Sequence, residues 1–166
     1  MKLGVLSDTH NNLTALEQAL SLFRQEKVDW LIHCGDITTP ETASALGEFP
    51  VWHALGNGDF ASGEIRAVLQ RFNPLNQSAL VVTGILGGFP IAVTHGHVPG
   101  KVAELAQSGQ YAYVFYGHSH RRKAQKMGNT WVINPGALGG LRPEAPSVYL
   151  IDLQIGDGGF FLVPGS

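Results

Sequence analysis

Five short apolar runs in this chain each pass directly into a fragment carrying carboxylate, amide or imidazole groups. The fragments are Asp8-Thr9-His10, Gly35-Asp36, Gly56-Asn57-Gly58-Asp59, His95-Gly96-His97 and Gly117-His118-Ser119-His120. This pattern restricts the fold more than any other, because it asks for strands whose carboxyl ends gather at one edge, where the following loops present polar groups together. Five of the seven histidines lie in these fragments. Such a donor set suits borderline first-row metal ions, and a bridging aspartate can hold two of them close enough to share one hydroxide.

The intervening segments predict the architecture. Lys2 to Leu6 reads as the first strand, and Leu13, Leu16, Leu20 and Phe23 then recur at helical spacing behind a capping Asn11 or Asn12. Val28 to His33 predicts a second strand, and Pro40 opens a helix around Ala43 and Leu46. Val51 to Leu55 predicts a third strand, followed by a helix through Ile65, Val68 and Leu69. Three strand–loop–helix units in series imply a parallel or mixed sheet flanked by helices.

The second half is richer in strands. Leu80 to Thr83 and Ile91 to Thr94 are expected to pair through a glycine-rich turn from Gly84 to Pro90. Lys101 to Gln107 reads as a helix and Tyr113 to Tyr116 as a strand. Lys123 to Met127 and Thr130 to Asn134 flank Gly128-Asn129, a two-residue hairpin turn. Alternation of Ile151, Leu153 and Ile155 with Asp152 and Gln154 predicts a half-buried strand, and Gly156 to Gly159 then turns the chain into Phe160 to Val163. With no repeat or long linker, residues 1–166 are expected to form a single α/β domain with two sheets.

Composition narrows the function classes. Only 14% of residues are charged and 44% are hydrophobic, a balance that suits stacked sheets or a sheet covered on both faces. A net charge of −2 gives no broad cationic field, so bulk attraction to nucleic acid is not expected. One cysteine, Cys34, excludes a disulfide framework or a thiolate metal site, and is expected to be a buried small side chain. The amino terminus runs straight into a strand without a signal-peptide layout, and no apolar run approaches a membrane span. A cytoplasmic enzyme with no membrane association is therefore expected.

Each fragment has an ordinary explanation when taken alone. Asp8 could stabilise the following helix terminus, Gly35-Asp36 could form a turn, and Asn57-Gly58 is a common turn pair. Gly56 to Ala61 also fits G-x-G-x-x-A, a dinucleotide-binding pattern. Against that, Asp59 would face the pyrophosphate, and Ala79 to Thr83, where an acidic residue belongs, is neutral. The paired histidines discriminate best, since clustered imidazoles repel one another on protonation unless a metal keeps them neutral. His33 and His53, inside strands and without sequence-near partners, read as structural. Arg121 to Lys123 reads as a solvated strand start, with phosphate steering as the alternative, and Phe60, Tyr116 and Phe89 read as core residues, with apolar contact to a substrate as the alternative.

Taken in order from Asp8 to Gly136, the set D-x-H, G-D, G-N-x-D, H-G-H and G-H-x-H resembles the calcineurin-like metallophosphoesterases, and within them the small bacterial and archaeal phosphodiesterase branch. Asn134-Pro135-Gly136-Ala137 is similar to a segment that packs by the site in that branch. The resemblance implies a four-layer α/β/β/α sandwich with two mixed sheets and two divalent ions, manganese first, with zinc, iron, nickel or cobalt as alternatives. It further implies one ion held by Asp8, His10, Asp36 and His120, and a second by Asp36, Asn57, His95 and His118.

The implied activity is hydrolysis of small soluble phosphodiesters by a metal-bridging hydroxide, with the state of self-association left open. Two divalent ions set against Asp8, Asp36 and that hydroxide leave one net positive charge to meet a diester anion. Larger relatives carry a histidine, proposed as general acid, where this chain has Gly58, so Asp59 lacks its usual partner. His97 becomes a candidate substrate-facing residue or substitute acid. Phosphomonoesters and nucleotide pyrophosphates are the alternative substrates. A non-catalytic scaffold like the retromer subunit of this fold is disfavoured, because every ligand position here is filled.

Overall fold

The computed structural model describes residues 1–141 and 143–164. Its first half follows the predicted alternation: β1 (Lys2–Leu6), α1 (Leu13–Gln25), β2 (Trp30–His33), α2 (Pro40–Ser44), β3 (Val51–Ala54) and α3 (Ser62–Phe72). Asn12 is the residue that caps α1, its side chain accepting the Ala15 N–H, and Thr39 caps α2 ahead of Pro40. The second strand starts two residues later than expected. Lys27 has φ +55°, and Asp29 is tied to Lys2 through both its N–H and its carboxylate, so Val28 and Asp29 form the approach to the strand.

The remaining elements are β4 (Gln77–Ala79), β5 (Val81–Leu86), β6 (Phe89–Thr94), α4 (Lys101–Gln107), β7 (Tyr113–Phe115), β8 (Arg122–Met127), β9 (Thr130–Pro135), β10 (Ser147–Asp152) and β11 (Asp157–Leu162). Three expectations need correction. Strand β4 went unseen, because three residues are too few to show alternation. The predicted turn from Gly84 shrinks to Gly87 and Gly88, with Gly84 inside β5, where the Trp52 ring lies 2.7 Å from the place a Cβ would occupy. The alternation at Ile151 to Ile155 does not mark one strand: β10 ends at Asp152, and a turn closed by Gly156 N–H to Asp152 C=O leaves Ile155 74% exposed.

Two mixed sheets result, in the orders β11-β10-β1-β2-β3-β4 and β5-β6-β7-β9-β8. Strands β1 to β4 run parallel in the first, and β6, β7 and β9 run parallel in the second. Side chains from the facing sides form a buried layer that includes Val5, Ile32, Trp52, Val93 and Phe115. Helices α1 to α3 cover the outer face of the first sheet around Leu20, Phe23, Leu46 and Ile65, and α4 covers the second through Leu105 and Ala106. These clusters give the α/β/β/α layering. The parallel strands place the loops after β1, β2, β3, β6 and β7 at one end of the sandwich, and all five polar fragments lie there.

Candidate metal centre

The loops are pinned to one another before any side chain is considered. Asp8 N–H donates to Gly35 C=O at 2.9 Å, and His10 N–H donates to Asp36 C=O at 3.1 Å. Gly117 N–H donates to His95 C=O, and the Asn134 amide donates to Gly117 C=O at 2.8 Å, which joins the Asn-Pro-Gly segment to the last histidine loop. The backbone accepts strain to do this. Asp8, His10, Asp36, His118 and His120 all have φ between +43° and +66°. Left-handed conformations cost non-glycine residues roughly 1 kcal/mol or more each and persist where the surroundings demand them. Sequence alone gave no sign of this.

Each aspartate is divided between a structural and a presented oxygen. Asp8 Oδ2 accepts the Ser7 hydroxyl at 2.5 Å and the His118 N–H at 3.0 Å, whereas Oδ1 is buried with no hydrogen-bond partner. Asp36 Oδ1 accepts the Gly58 N–H at 2.7 Å, and Oδ2 stands 3.5 Å from both His10 Nε2 and His95 Nε2. The imidazoles are oriented in the same manner. His95 Nδ1–H donates to Cys34 C=O at 2.7 Å and His120 Nδ1–H donates to Leu141 C=O at 2.6 Å. That tautomer turns the Nε2 lone pair of each ring toward the aspartates. His120 Nε2 is 3.1 Å from Asp8 Oδ1 and 3.4 Å from His10 Nε2, and His95 Nε2 is 3.9 Å from Asp8 Oδ1.

Among the described residues, two groups of donors lie within ion-binding reach: Asp8, His10 and His120, and Asp8, Asp36 and His95. Asp8 Oδ1 and His95 Nε2 are buried without hydrogen-bond partners, and bound cations would satisfy both. The donor set therefore fits divalent metal. His118 is exposed and sits beside His95, ring centres 5.1 Å apart, and Asn57 is exposed on the Gly56–Asp59 turn. Gly35 allows this close packing: its φ is +104°, and a Cβ there would lie 2.5 Å from His95 Nδ1.

Electrostatics agree with the geometry. Burial lowers the His95 pKa, but the nearby Asp36 and Asp8 carboxylates outweigh it and raise the ring above 6.5. The Asp8 carboxylate, 3.1 Å from Nε2, raises His120 likewise. His97 goes the other way, lowered by burial and by neighbouring His95 and His118, and its Nδ1 is buried without a hydrogen-bond partner.

Three residues depart from their expected environment. Asp59 is not short of a partner, because His53 Nε2–H donates to its Oδ2 at 3.2 Å. Its carboxylate also accepts the N–H groups of Asp36, Thr38 and Gly56 at 2.7–3.0 Å. Burial opposes ionisation, but the His53 hydrogen bond and charge, with the backbone donors, hold Asp59 well below the usual carboxylate range. His53 is accordingly not without a partner, although Asp59 lies only six residues on; a strand end leading into a turn was the signal available. Phe60 is not a core residue but stands 93% exposed, whereas Tyr116 and Phe89 pack partly buried against the apolar clusters.

Residues 1–156 match the calcineurin-like phosphoesterase superfamily domain. The chain belongs to that superfamily. Among its curated relatives is phosphodiesterase MJ0936 of Methanocaldococcus jannaschii, 30% identical over 159 residues that cover 93% of this chain and 94% of the relative. Phosphodiesterase YfcE of Escherichia coli K12 is 28% identical, covering 90% and 85% respectively. The solved structure of an archaeal phosphodiesterase superposes with a TM-score of 0.93 at 27% identity, covering 98% of this chain and all of that one. Vps29 of Entamoeba histolytica shares the fold at a TM-score of 0.69 and 18% identity, over 92% of this chain and 86% of that one. Members of the superfamily use divalent metal ions, and no helix among the described residues is long and apolar enough to cross a membrane.

Proposed function

We propose that this metallophosphoesterase is a phosphodiesterase for small soluble esters. The observation that carries the reading is the division of labour in both aspartates: one oxygen is fixed by a backbone N–H and the other faces imidazole Nε2 atoms. Asp8, His10, Asp36 and His120 would hold one ion, and Asp36, Asn57, His95 and His118 the other. Two divalent ions bound there would neutralise phosphoryl oxygens and make a nucleophilic water available near neutral pH. Manganese is the ion proposed first, since Asp, Asn and His donors accept several borderline metals and supply decides among them. Because both sheets contribute ligands, residues 1–166 are read as one catalytic domain, with the cytoplasm as its setting. Reconstituting metal-stripped protein with each ion and comparing rates on a diester and on its monoester tests the reading. Faster monoester hydrolysis would favour the monoesterase alternative.

The chain's own residues prepare the site by holding donors still and keeping lone pairs directed inward. His97 is proposed as a substrate-facing hydrogen-bond donor. Its lowered pKa makes it a neutral ring at pH 7, which weighs against the substitute-acid role. His97→Ala should then raise KM and slow esters of good and poor leaving groups alike. Selective loss with poor leaving groups, measured on an aryl series, would restore the acid.

Protons and ions compete at His95 and His120, both raised above 6.5. A raised histidine contributes stability that is fully present below its unfolded pKa and lost as pH rises through its folded pKa. As pH rises from about 6.5 through the raised folded-state pKa values of the two rings, the metal-free protein should therefore lose stability, while ion affinity climbs up to ~100-fold per unit if both protons are released. Melting curves in chelator and in excess Mn²⁺ across that window should diverge, and parallel curves would contradict the assignment.

A further inference from the structure

We propose that His53 is a positioning residue for the Asp36 loop, acting through Asp59 from inside the first sheet. The inference rests on the dinuclear reading above and concerns how its shared aspartate is held. His53 lies on β3, with Ser78 of β4 and His33 of β2 as its register neighbours, and all three side chains are buried. Ser78 Oγ bonds His53 Nδ1 at 2.9 Å, which leaves Nε2–H for Asp59 Oδ2. Asp59 then gathers three backbone donors from two loops: Asp36 N–H at 3.0 Å and Gly56 N–H at 2.7 Å on Oδ2, and Thr38 N–H at 2.8 Å on Oδ1.

These three amides bracket the aspartate that must present Oδ2 to the ions. Asp36 and Thr38 are in left-handed conformations, with φ +57° and +76°, and Thr38 is β-branched, so the loop would relax without an anchor. The turn anchored at Gly56 supplies the Gly58 N–H that fixes Asp36 Oδ1. His53 thus reaches Asp36 through one carboxylate. It gives Asp59 an imidazole partner where Gly58 has no side chain to offer one.

The test compares His53→Leu with His53→Gln, whose amide can still donate to Asp59. In metal-stripped protein, exchange of the Asp36, Thr38 and Gly56 amide hydrogens should quicken roughly tenfold or more in His53→Leu, as for loss of one hydrogen bond to a charged group. In calorimetric titration with Mn²⁺ alone, the same variant should bind at least one ion about 10-fold more weakly. His53→Gln should stay within about 3-fold of wild type in both readouts. Unchanged exchange or unchanged Mn²⁺ affinity in folded His53→Leu overturns the proposal, and so does equal loss in both variants, which would assign His53 to packing. Should His53→Leu fail to fold, Ser78→Ala, which removes only the outer bond to Nδ1, is read in the same way: smaller shifts in the same direction support the proposal, and none overturns it. Because the exchange measurement needs neither metal nor substrate, a wild-type protein inert toward every diester would sink the functional reading while the positioning of Asp36 is still decided by these amides.

Discussion

Asp36→Asn is expected to fold like the wild type and to lose at least ~10³-fold in kcat/KM on a phosphodiester, at the upper end for losing one preorganised electrostatic group. An asparagine oxygen can still accept the Gly58 N–H now held by Oδ1 at 2.7 Å, so the turn after β3 keeps its anchor. What disappears is the negative oxygen 3.5 Å from both His10 Nε2 and His95 Nε2, the only side chain proposed to serve both ions. Asp36→Ala should lose as much activity and also cost about 1–3 kcal/mol of stability, because the Gly58 N–H is left without its acceptor. Comparing the two variants by melting temperature and Mn²⁺ stoichiometry separates charge from support. An Asp36→Asn enzyme that kept a tenth of wild-type turnover would remove Asp36 from the centre.

Gly117→Ala is the largest effect expected from the smallest chemical change. A Cβ at that position would lie 1.9 Å from Ser7 Oγ and 2.7 Å from Asp8 Oδ2. Gly117 is not among the glycines with positive φ, so the penalty comes from overlap and not from backbone conformation. Overpacking of this kind costs about 1–3 kcal/mol or more, or roughly 3–10 °C in melting temperature for a chain of this size. The overlap displaces Ser7 Oγ, which holds Asp8 Oδ2, and crowds Oδ2 itself, so ion affinity should fall with stability. Gly63→Ala in α3 is the control: nothing lies within 4 Å of its added methyl, and it should be neutral or stabilising by up to ~1 kcal/mol. Adding Ser7→Ala to Gly117→Ala removes the nearest clashing atom, and should restore part of the lost melting temperature but little activity.

The reach of the sequence follows from how local each signal is. The first three strands and helices were legible because their apolar period is local, and in α1 and α2 the cap is local too, as Asn12 and Thr39-Pro40 show. Candidate ligands were legible because D-x-H, H-x-H and G-D place donors just past strand ends, and the structure brings Asp8, His10, Asp36, His95 and His120 together. Elements defined by their partners were not. Three-residue β4 exists by pairing with β3, and Leu153 is buried in a turn that imitates strand alternation. Left-handed conformations at five proposed ligands are imposed by contacts between loops far apart in sequence, so no local pattern announced them. His53 was read as structural because its own strand offers nothing polar to bind, yet the following turn returns Asp59 to it.

The measurement that bears most directly on the account is anomalous diffraction from crystals of this protein grown with excess Mn²⁺. Two peaks are expected, both in contact with the Asp36 carboxylate, one flanked by Asp8, His10 and His120 and the other by Asn57, His95 and His118. A single peak, or peaks that do not touch Asp36, would contradict it.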